Sequence, residues 1–282
     1  MNKQRINQVI QGTIQKLELA WHRALISKYK GKFSNFDEQA IIGKYIDLLE
    51  IRDKSETVVD IGAGDGARSS NTFALVQAGW SVLGVEYDNR KFGLLAQNYS
   101  FYPNARSCRF MVSSTNIVDL LKAYSVEKDF GVLSLDIDGC DYWVLDAILS
   151  RFRPKLVVSE FNEKIPPPVK FVVNDVPEFN LRFHFFGYSI AKLQDLLKKH
   201  DYVLLENEYN NVFIAPAEIA ADHSISIEQA YLEGYVNRPD RREKFGSNED
   251  MDPLLRMDPQ QAVDFLGRYY GGYKGEYQIE IG

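Results

Sequence analysis

Two apolar runs near the middle of the chain each end in oxygen-bearing side chains. Asp136 and Asp138 follow one run, and Glu160 and Asn162 follow the next. Side chains alternate along an extended segment, so each pair shares one face. Carboxylate and amide oxygens are hard ligands that suit Mg²⁺, Mn²⁺ or Ca²⁺. The pattern suits a divalent-cation site. The structural alternative is a plain turn at Asp138, a helix N-cap at Asp141 and a buried, backbone-bonded Glu160.

His184 is the histidine best placed to take a proton, because it falls between the strand predicted at 155–160 and the helix predicted after Ser189. An imidazole changes its charge near neutral pH, which suits a general base. Its neighbours in the segment Arg182–Tyr188 are mostly aromatic, and a histidine in such surroundings is more often a packing residue. Tyr142 and Tyr188 are candidates to line an acceptor pocket, or to pack in the core.

The stretch Thr57–Gly66 joins the pattern of a buried strand to a glycine-rich turn. Its β-branched residues predict a parallel strand that ends at an acid, Asp60. Glycines then recur at every second position, as Gly62, Gly64 and Gly66. Without a Cβ, they allow the backbone to approach a ligand closely. Residues 67–77 lack proline and glycine and predict a helix whose N-terminus faces that ligand.

A second run, Ser81–Asp88, contains another acid, Glu86, at its carboxyl end. In doubly wound sheets an acid at this position accepts hydrogen bonds from the hydroxyls of a ribose. The two strands together therefore indicate a site for a nucleoside-containing ligand, whereas a glycine-rich turn alone would be a weak signal.

Apolar runs and helical patterns alternate from residue 56 onward. Strands are predicted at 57–61, 81–86, 108–112, 131–136 and 155–160, and helices near 68–78, 89–98, 115–124 and 141–150. This alternation is typical of a parallel sheet with helices on both faces. Ser189 predicts an N-cap for a further helix that ends near His200. Strands at 202–206 and 212–215 follow, and their short link requires an antiparallel hairpin.

The two ends of the chain differ from this alternating region. Residues 4–29 and 37–49 predict amphipathic helices, the first with its apolar side at Ile6, Ile10, Ile14, Leu17, Trp21 and Leu25. After residue 216, Ser226 and Asp258 predict helix N-caps, and the charged stretch 237–257 predicts a solvated loop. We therefore divide the chain into an N-terminal helical extension (1–55), a central domain (56–216) and a C-terminal helical extension (217–282).

Composition limits the classes of function. The chain has 282 residues and a net charge of −6, which disfavours nucleic acid as a partner. No apolar run has the length of a membrane span, and the N-terminus lacks the apolar core of a signal peptide. The two cysteines, Cys108 and Cys140, have no zinc spacing and predict reduced thiols in a cytoplasmic protein. The terminal helices are natural contacts for a homodimer.

The motif Asp60-x-Gly62-x-Gly64-x-Gly66 resembles the first motif of class I S-adenosylmethionine (SAM)-dependent methyltransferases. That resemblance spans roughly residues 56–216. It implies a Rossmann-like, doubly wound sheet of seven strands, mostly parallel, with an antiparallel C-terminal hairpin strand. It also implies that SAM binds across the carboxyl ends of the first strands. The residues that would contact the cofactor are Asp60, Gly62, Ala63, Gly64, Gly66, Glu86, Tyr87, Ser113, Ser114 and Asp136.

The acids after the fourth and fifth strands are similar to those of catechol- and sugar-modifying O-methyltransferases. In that group, a metal chelates two neighbouring acceptor hydroxyls and lowers the pKa of the attacking one. This chain has Glu160-x-Asn162 where the group has adjacent Asp-Asn. The resemblance implies Mg²⁺ or Mn²⁺ at Asp136, Asp138, Glu160 and Asn162. We predict Asp136, Asp138 and His184 as the catalytic residues, the last from its position and its chemistry. The acceptor would contact Asp138, Tyr142, Glu160, Asn162, His184 and Tyr188.

Together these features predict a methyltransferase that acts on a small molecule, with a sugar or polyhydroxylated metabolite as the favoured acceptor. A nicotinamide-dinucleotide oxidoreductase is the first alternative, because Gly62-x-Gly64-x-x-Ala67 nearly fits that fingerprint. Asp60 would repel a pyrophosphate but attract a sulfonium, and the terminal hairpin is foreign to dinucleotide-binding sheets. A catalytically silent partner subunit with the same fold is the second alternative. Without a metal, a carboxylate or a histidine could take the acceptor's proton.

Overall fold

The computed structural model describes residues 3–176 and 182–282. Its main sheet has seven strands in the order β3-β2-β1-β4-β5-β8-β7, and β6 and β9 form a separate pair. The strands are β1 Thr57–Ile61, β2 Ser81–Glu86, β3 Ala105–Arg109, β4 Val132–Leu135, β5 Leu156–Glu160, β6 Val169–Val173, β7 Tyr202–Glu208, β8 Asn211–Pro216 and β9 Tyr277–Ile281. Strands β1 to β5 pair in parallel, and β8 runs antiparallel to both β5 and β7. The predicted α/β, doubly wound sheet with a closing hairpin is confirmed.

The sheet is buried on both faces, which explains its continuous apolar strands. In β1, Val58 packs into the hydrophobic cluster on one face and Val59 into the cluster on the other. Their partners in β4, Val132 and Leu133, divide in the same way. Successive side chains of a strand point to opposite faces, so this register fills both layers.

Helices cover these faces and form both extensions. They are α1 Lys3–Ser27, α2 Glu38–Leu48, α3 Phe73–Gln77, α4 Asn89–Tyr99, α5 Ile117–Ala123, α6 Asp141–Leu149, α7 Ile190–His200, α8 Ala217–Ala220, α9 Ile227–Tyr231, α10 Arg241–Lys244 and α11 Pro259–Tyr269. The predicted N-caps are confirmed, since Ser189, Ser226 and Asp258 each accept a backbone N–H from the first turn. No helix in the described ranges combines the length and apolar character needed to cross a bilayer.

Two predicted elements near the glycine-rich turn are corrected. The helix predicted at 68–78 begins only at Phe73. Asp65 Oδ1 accepts the N–H groups of Ala67 and Arg68, as at a helix start. Ser69 then has a left-handed backbone with φ +55°, which interrupts a helix. Strand β3 begins three residues before the predicted 108–112, since it pairs with β2 from Val82 onward.

The C-terminal extension is more ordered than its charge predicts. Residues 237–257 contain α10 and two 3₁₀ turns, Gly246–Asn248 and Asp252–Arg256, so the predicted solvated loop is wrong. Met251 and Leu254 are buried in a cluster with α11 and the β6–β9 pair. The chain after the proline-rich stretch 166–168 forms β6, which the sequence did not predict. The domain boundaries at 55 and 216 stay predictions.

Helix α1 has an uncovered apolar side. Ile14, Leu17 and Trp21 are exposed, whereas two other residues of this helix pack inward. His22 stacks on Phe101 with ring centroids 4.1 Å apart, and Ile26 joins one of the hydrophobic clusters. The side chains of Ile6, Ile10 and Leu25 lie outside the described part of the chain. A homodimer contact through this helix stays a prediction.

Candidate functional site

A cleft of about 810 Å³ opens at the carboxyl ends of β1, β2 and β4. The order of strands reverses between β1 and β4, and ligands of doubly wound sheets bind at this switch point. The cleft is lined by the glycine-rich turn, the ends of β2 and β3, and the segment after β4. The topology therefore puts the predicted nucleoside site and the predicted acid cluster along one cavity.

The three glycines have different surroundings. A Cβ on Gly62 would lie 1.6 Å from the carbonyl oxygen of Asp136, and its φ is +83°. Gly64, with φ +59°, has no atom within 4 Å of a built Cβ and lines the cleft. Gly66 packs instead against Leu95 and Tyr99 and does not line the cleft. Only glycine allows the turn to press on the end of β4 and still present bare backbone to a ligand.

Glu86 connects this turn to the end of β2. Its Oε2 accepts the N–H of Gly64 at 2.9 Å, and its Oε1 accepts the N–H of Asp88 at 2.7 Å. The residue is largely buried, but it lines the cleft. Each carboxylate oxygen has a second lone pair, so Glu86 can still accept hydrogen bonds from ligand hydroxyls.

Asp60 lies beneath the turn and does not line the cleft, unlike the predicted direct contact. It is 4% exposed, and its Oδ2 accepts the hydroxyl of Thr72 at 2.6 Å. Burial raises the pKa of Asp60 to about 6, while hydrogen bonds from Thr72 and Ser134 oppose that rise. This carboxyl therefore links the end of β1 to Thr72, the residue before α3.

The opposite wall of the cleft carries apolar side chains that are unusually exposed. Tyr87, Leu94 and Met111 are 56%, 45% and 37% exposed, and all three line the cleft. A flat, apolar heterocycle could be covered by such a wall. Ser113 also lines the cleft, whereas Ser114 does not line it and donates its hydroxyl to Asp175, which does. Leu94 and Met111 were not predicted, because one exposed apolar residue gives no sequence signal.

The predicted acid cluster comes together after β4 and β5. Carboxylate oxygens of Asp136, Asp138 and Glu160 lie within 4.8 Å of one another. Asp136 and Asp138 line the cleft, and Asp138 has a left-handed backbone with φ +56°. Glu160 Oε1 accepts the amide of Asn210 at 2.7 Å, and its buried Oε2 has no hydrogen-bond partner in the described chain. An oxygen in that position suits a cation or a shared proton.

The electrostatics of the cluster follow from this crowding. Asp136 reaches the cleft, but the protein atoms around it displace much of its water. This lost hydration, and then the charges of Asp141 and Asp138, raises the pKa of Asp136 to about 7. Burial and then Asp136 raise the pKa of Glu160 well above its usual value. Like charges at this separation cannot all be carried without a proton or a bound cation.

Four other predicted site residues do not reach the cleft. The amide of Asn162 is buried and donates to the carbonyls of His184 and Phe186. His184 is 3% exposed and pairs with Asp250 through Nε2 at 3.0 Å. Burial, and then the charge of Lys164, lowers the pKa of His184.

Tyr188 and Tyr142 complete this group. Tyr188 is buried and donates its hydroxyl to Ser159 at 3.0 Å, and Tyr142 packs against it with ring centroids 5.7 Å apart. The chain around Tyr188 bridges to Val172 of β6, which closes this part of the sheet edge. The structure thus gives Asn162, His184, Tyr188 and Tyr142 packing partners away from the cleft.

Two cations and one amide line the cleft without having been predicted: Arg68, Lys91 and Asn35. Arg68 follows the glycine-rich turn directly, which was a usable signal. Asn35 belongs to the N-terminal extension, and only the tertiary structure brings it here.

No family model matches this chain. No curated protein matches it either. The chain is similar to solved structures of magnesium protoporphyrin IX methyltransferase from Synechocystis PCC 6803 with bound SAM (12% identity, 63% of this chain, 79% of that chain, TM-score 0.39) and of CalS10, an amino pentose methyltransferase from Micromonospora echinaspora (13%, 67%, 94%, 0.41). A third is a TehB-like SAM-dependent methyltransferase from Corynebacterium glutamicum (12%, 72%, 98%, 0.39).

These structures are SAM-dependent methyltransferases. That is the class which the glycine motif of this chain resembles. The fold assignment follows from the strand order and pairing of this chain.

Proposed function

We propose that this protein is a SAM-dependent methyltransferase of a small-molecule acceptor. The observation that carries the proposal is the link between Glu86 and the N–H of Gly64 at the switch-point cleft. One acid thereby fixes the bare turn and still offers lone pairs to a ribose. The apolar wall of Tyr87, Leu94 and Met111 supports an adenine site beside it.

We further propose that the acceptor is methylated on oxygen with the help of Mg²⁺ or Mn²⁺. Asp136, Asp138 and Glu160 fit such a cation, because hard oxygens converge and Glu160 Oε2 lacks a partner in the described chain. When bound, a divalent cation lowers the pKa of a hydroxyl that it coordinates. The chain's own part is to hold the acceptor in line with the methyl group and to exclude water. A sugar or another polyhydroxylated metabolite is the acceptor class that we favour.

Cofactor binding is the first test. Calorimetry with S-adenosylhomocysteine should show binding that Glu86→Ala weakens by at least about 100-fold, because a charged acceptor and the anchor of Gly64 are both lost. Glu18→Ala, an exposed glutamate of α1, is the matched control and should bind like the wild type. Heat with NAD and none with S-adenosylhomocysteine would instead favour the oxidoreductase alternative.

The metal is tested separately. With an acceptor found in a panel of polyols and sugars, Asp138→Asn should lower turnover, and a chelator should abolish it until Mn²⁺ is restored. Turnover that is untouched by the chelator would refute the metal and leave a carboxylate as the base. Binding of cofactor without turnover of any acceptor would favour the silent-subunit alternative.

A further inference from the structure

Helix α1 has one row of side chains against the protein and a second, apolar row in solvent. His22 and Ile26 are buried against the rest of the chain. Ile14, Leu17 and Trp21, spaced by three and four residues, are 48%, 65% and 54% exposed. At about 100° per residue, the two rows lie roughly a third of a turn apart on the helix. The packing of α1 on the protein therefore leaves the apolar row uncovered.

The charge of the same segment is opposite to that of the rest of the chain. Residues 3–32 contain seven basic side chains and one acidic side chain, which are Lys3, Arg5, Lys16, Arg23, Lys28, Lys30, Lys32 and Glu18. This segment carries a net charge of +6, whereas the whole chain carries −6, so the other residues together carry −12. Such an asymmetry concentrates the attraction for an anionic partner at α1.

The basic side chains of this segment are exposed wherever the structure describes them. They are Lys16, Arg23, Lys28, Lys30 and Lys32. Lys32 pairs with Asp37 at 3.1 Å, and both side chains of that pair are exposed. The other ion pairs among the described residues involve no basic side chain of the segment. Their charge is therefore available to a partner.

An anionic lipid surface matches both the charge and the apolar row of α1. Its head groups attract the lysines and arginine, and its acyl boundary accepts aliphatic side chains and tryptophan. A nucleic acid would use the charge but gain nothing from Ile14, Leu17 and Trp21. A contact between the α1 helices of two copies would bring together two segments that each carry +6, so it would be repulsive.

We propose that α1 binds the surface of an anionic lipid bilayer, with Ile14, Leu17 and Trp21 at the boundary between head groups and acyl chains. This inference goes beyond the proposed function and does not depend on it. A basic helix with one exposed apolar row lies in the plane of the surface and does not cross the bilayer. The basic residues around that row contact the lipid phosphates and carboxylates.

The segment after α1 ties the helix to the cleft. The carbonyl of Phe33 accepts the N–H of Ser70 at 3.1 Å, and its ring packs on Phe73 with centroids 4.8 Å apart. Asn35, two residues further on, lines the cavity. Binding through α1 therefore holds the cleft close to the lipid surface.

Sedimentation of the whole chain with sucrose-loaded vesicles measures this binding. The wild type should bind phosphatidylcholine vesicles that contain about one third phosphatidylserine at least tenfold more tightly than pure phosphatidylcholine vesicles, and added salt should reduce the difference. Leu17→Ser with Trp21→Ser should weaken binding to the anionic vesicles by about tenfold or more, because two apolar side chains leave the acyl boundary. Lys28→Gln with Lys30→Gln should weaken it by about fivefold or more.

Tryptophan fluorescence shows which residue enters the bilayer. Trp21 is the exposed one of three tryptophans, since Trp80 is buried and Trp143 is half-buried with its indole N–H donated to the carbonyl of Val173. Anionic vesicles should therefore shift the emission of the wild type to shorter wavelength. Trp21→Phe should lose that shift and keep its affinity for the vesicles within about threefold, because the ring stays apolar.

The matched controls change exposed residues of the same types on other surfaces. Leu48→Ser removes an apolar side chain of α2. Lys122→Gln with Lys198→Gln removes two cations outside the basic segment. Both controls should bind anionic vesicles like the wild type. Equal losses in the controls and in the α1 variants would overturn the inference, because the binding would then be unspecific.

Three further outcomes would overturn the inference. They are a wild type that binds neither kind of vesicle or both equally, binding that Leu17→Ser with Trp21→Ser leaves unchanged, and a dimer that this double variant dissociates. The dimer would assign the apolar row to a second copy of the chain. Affinity for S-adenosylhomocysteine without vesicles should be the same in all these variants. Its absence in the wild type would refute the proposed function and leave the lipid surface standing.

Discussion

The carboxyl edge of the sheet has two halves, an open half at β2, β1 and β4 and a closed half at β5, β8 and β7. At β2, β1 and β4 the strand ends open into the cleft, and their acids face a cavity. At β5, β8 and β7 the same edge is covered by the segment 182–189 and the C-terminal extension. Polar residues there bond to protein, as in the buried ion pair of Lys164 with Glu163 at 2.9 Å. Position at the strand ends is thus insufficient for a site, because the edge must also stay uncovered.

The closed half is held by a polar network as well as by apolar packing. Glu163 also accepts the amide of Asn248 at 2.6 Å, and Asn248 donates to the hydroxyl of Tyr235. Tyr231 donates to the carbonyl of Glu163 at 2.8 Å. These residues come from two distant stretches of the chain. The network therefore fixes the C-terminal extension on β5, and the cleft is confined to the other half.

The largest loss of stability is expected from Gly62→Ala, in the open half. A Cβ there would lie 1.6 Å from a backbone oxygen at φ +83°, so the free energy of unfolding should fall by about 3–5 kcal/mol. Gly64→Ala has open space around it and should lose only about 1–2 kcal/mol from its left-handed backbone. Urea denaturation measures both. Equal losses would mean that the turn does not press on β4.

A smaller loss is expected in the closed half, from Lys164→Met. The ion pair with Glu163 is 5% and 3% exposed, and removal of one partner leaves a buried charge. Asn248 still donates to Glu163 in this variant, so the free energy of unfolding should fall by about 3 kcal/mol. Lys122→Met removes an exposed ion pair and should change the stability by less than about 1 kcal/mol. Affinity for S-adenosylhomocysteine should stay at the wild-type value in both variants, and a specific loss in Lys164→Met would place the closed half in the site.

The raised pKa of Asp60, a buried residue of the open half, predicts that the stability of the protein depends on pH. Its pKa is raised from 3.8 to about 6 by burial, so the folded state binds more protons than the unfolded state between these values. Stability from this group therefore falls as pH rises from about 4 to 6, by up to about 3 kcal/mol. The difference in unfolding free energy between the wild type and Asp60→Asn should shrink by that amount. A difference that stays constant across this range would mean that Asp60 is ionised and has an ordinary pKa. The control is Asp119→Asn at an exposed position, for which the difference from the wild type should not change with pH.

The smallest effect is expected from His184→Gln. Removal of a general base usually lowers turnover by about 10²- to 10⁴-fold. Since His184 is buried and paired with Asp250 outside the cleft, turnover of an acceptor should change by less than about tenfold. The free energy of unfolding should fall by about 1 kcal/mol, because the contact between His184 and Asp250 is lost. A loss of turnover in the range of a missing base, with normal cofactor affinity, would restore the catalytic role predicted from the sequence.

Much of the fold could be read from local patterns. Apolar runs such as Val58–Val59 predicted strands because burial on both faces requires continuous hydrophobicity. Ser189 and Asp258 predicted helix starts because their side chains satisfy free N–H groups. The pairing of β6 with β9 escaped prediction, because it joins Val169 to Ile281 and depends on long-range register. The late start of α3 also escaped, because one left-handed residue, Ser69, interrupts the turn.

For the candidate site, the sequence determined which residue types lie at the strand ends. It supplied the glycines, Glu86, and the three acids Asp136, Asp138 and Glu160, since parallel strands end at a common edge. Only the tertiary structure decided which of them face the cavity. Asp60 went beneath the turn, and Asn162 was covered by the carbonyls of His184 and Phe186. Exposure depends on what distant segments pack over a strand end, and no local pattern encodes that contact.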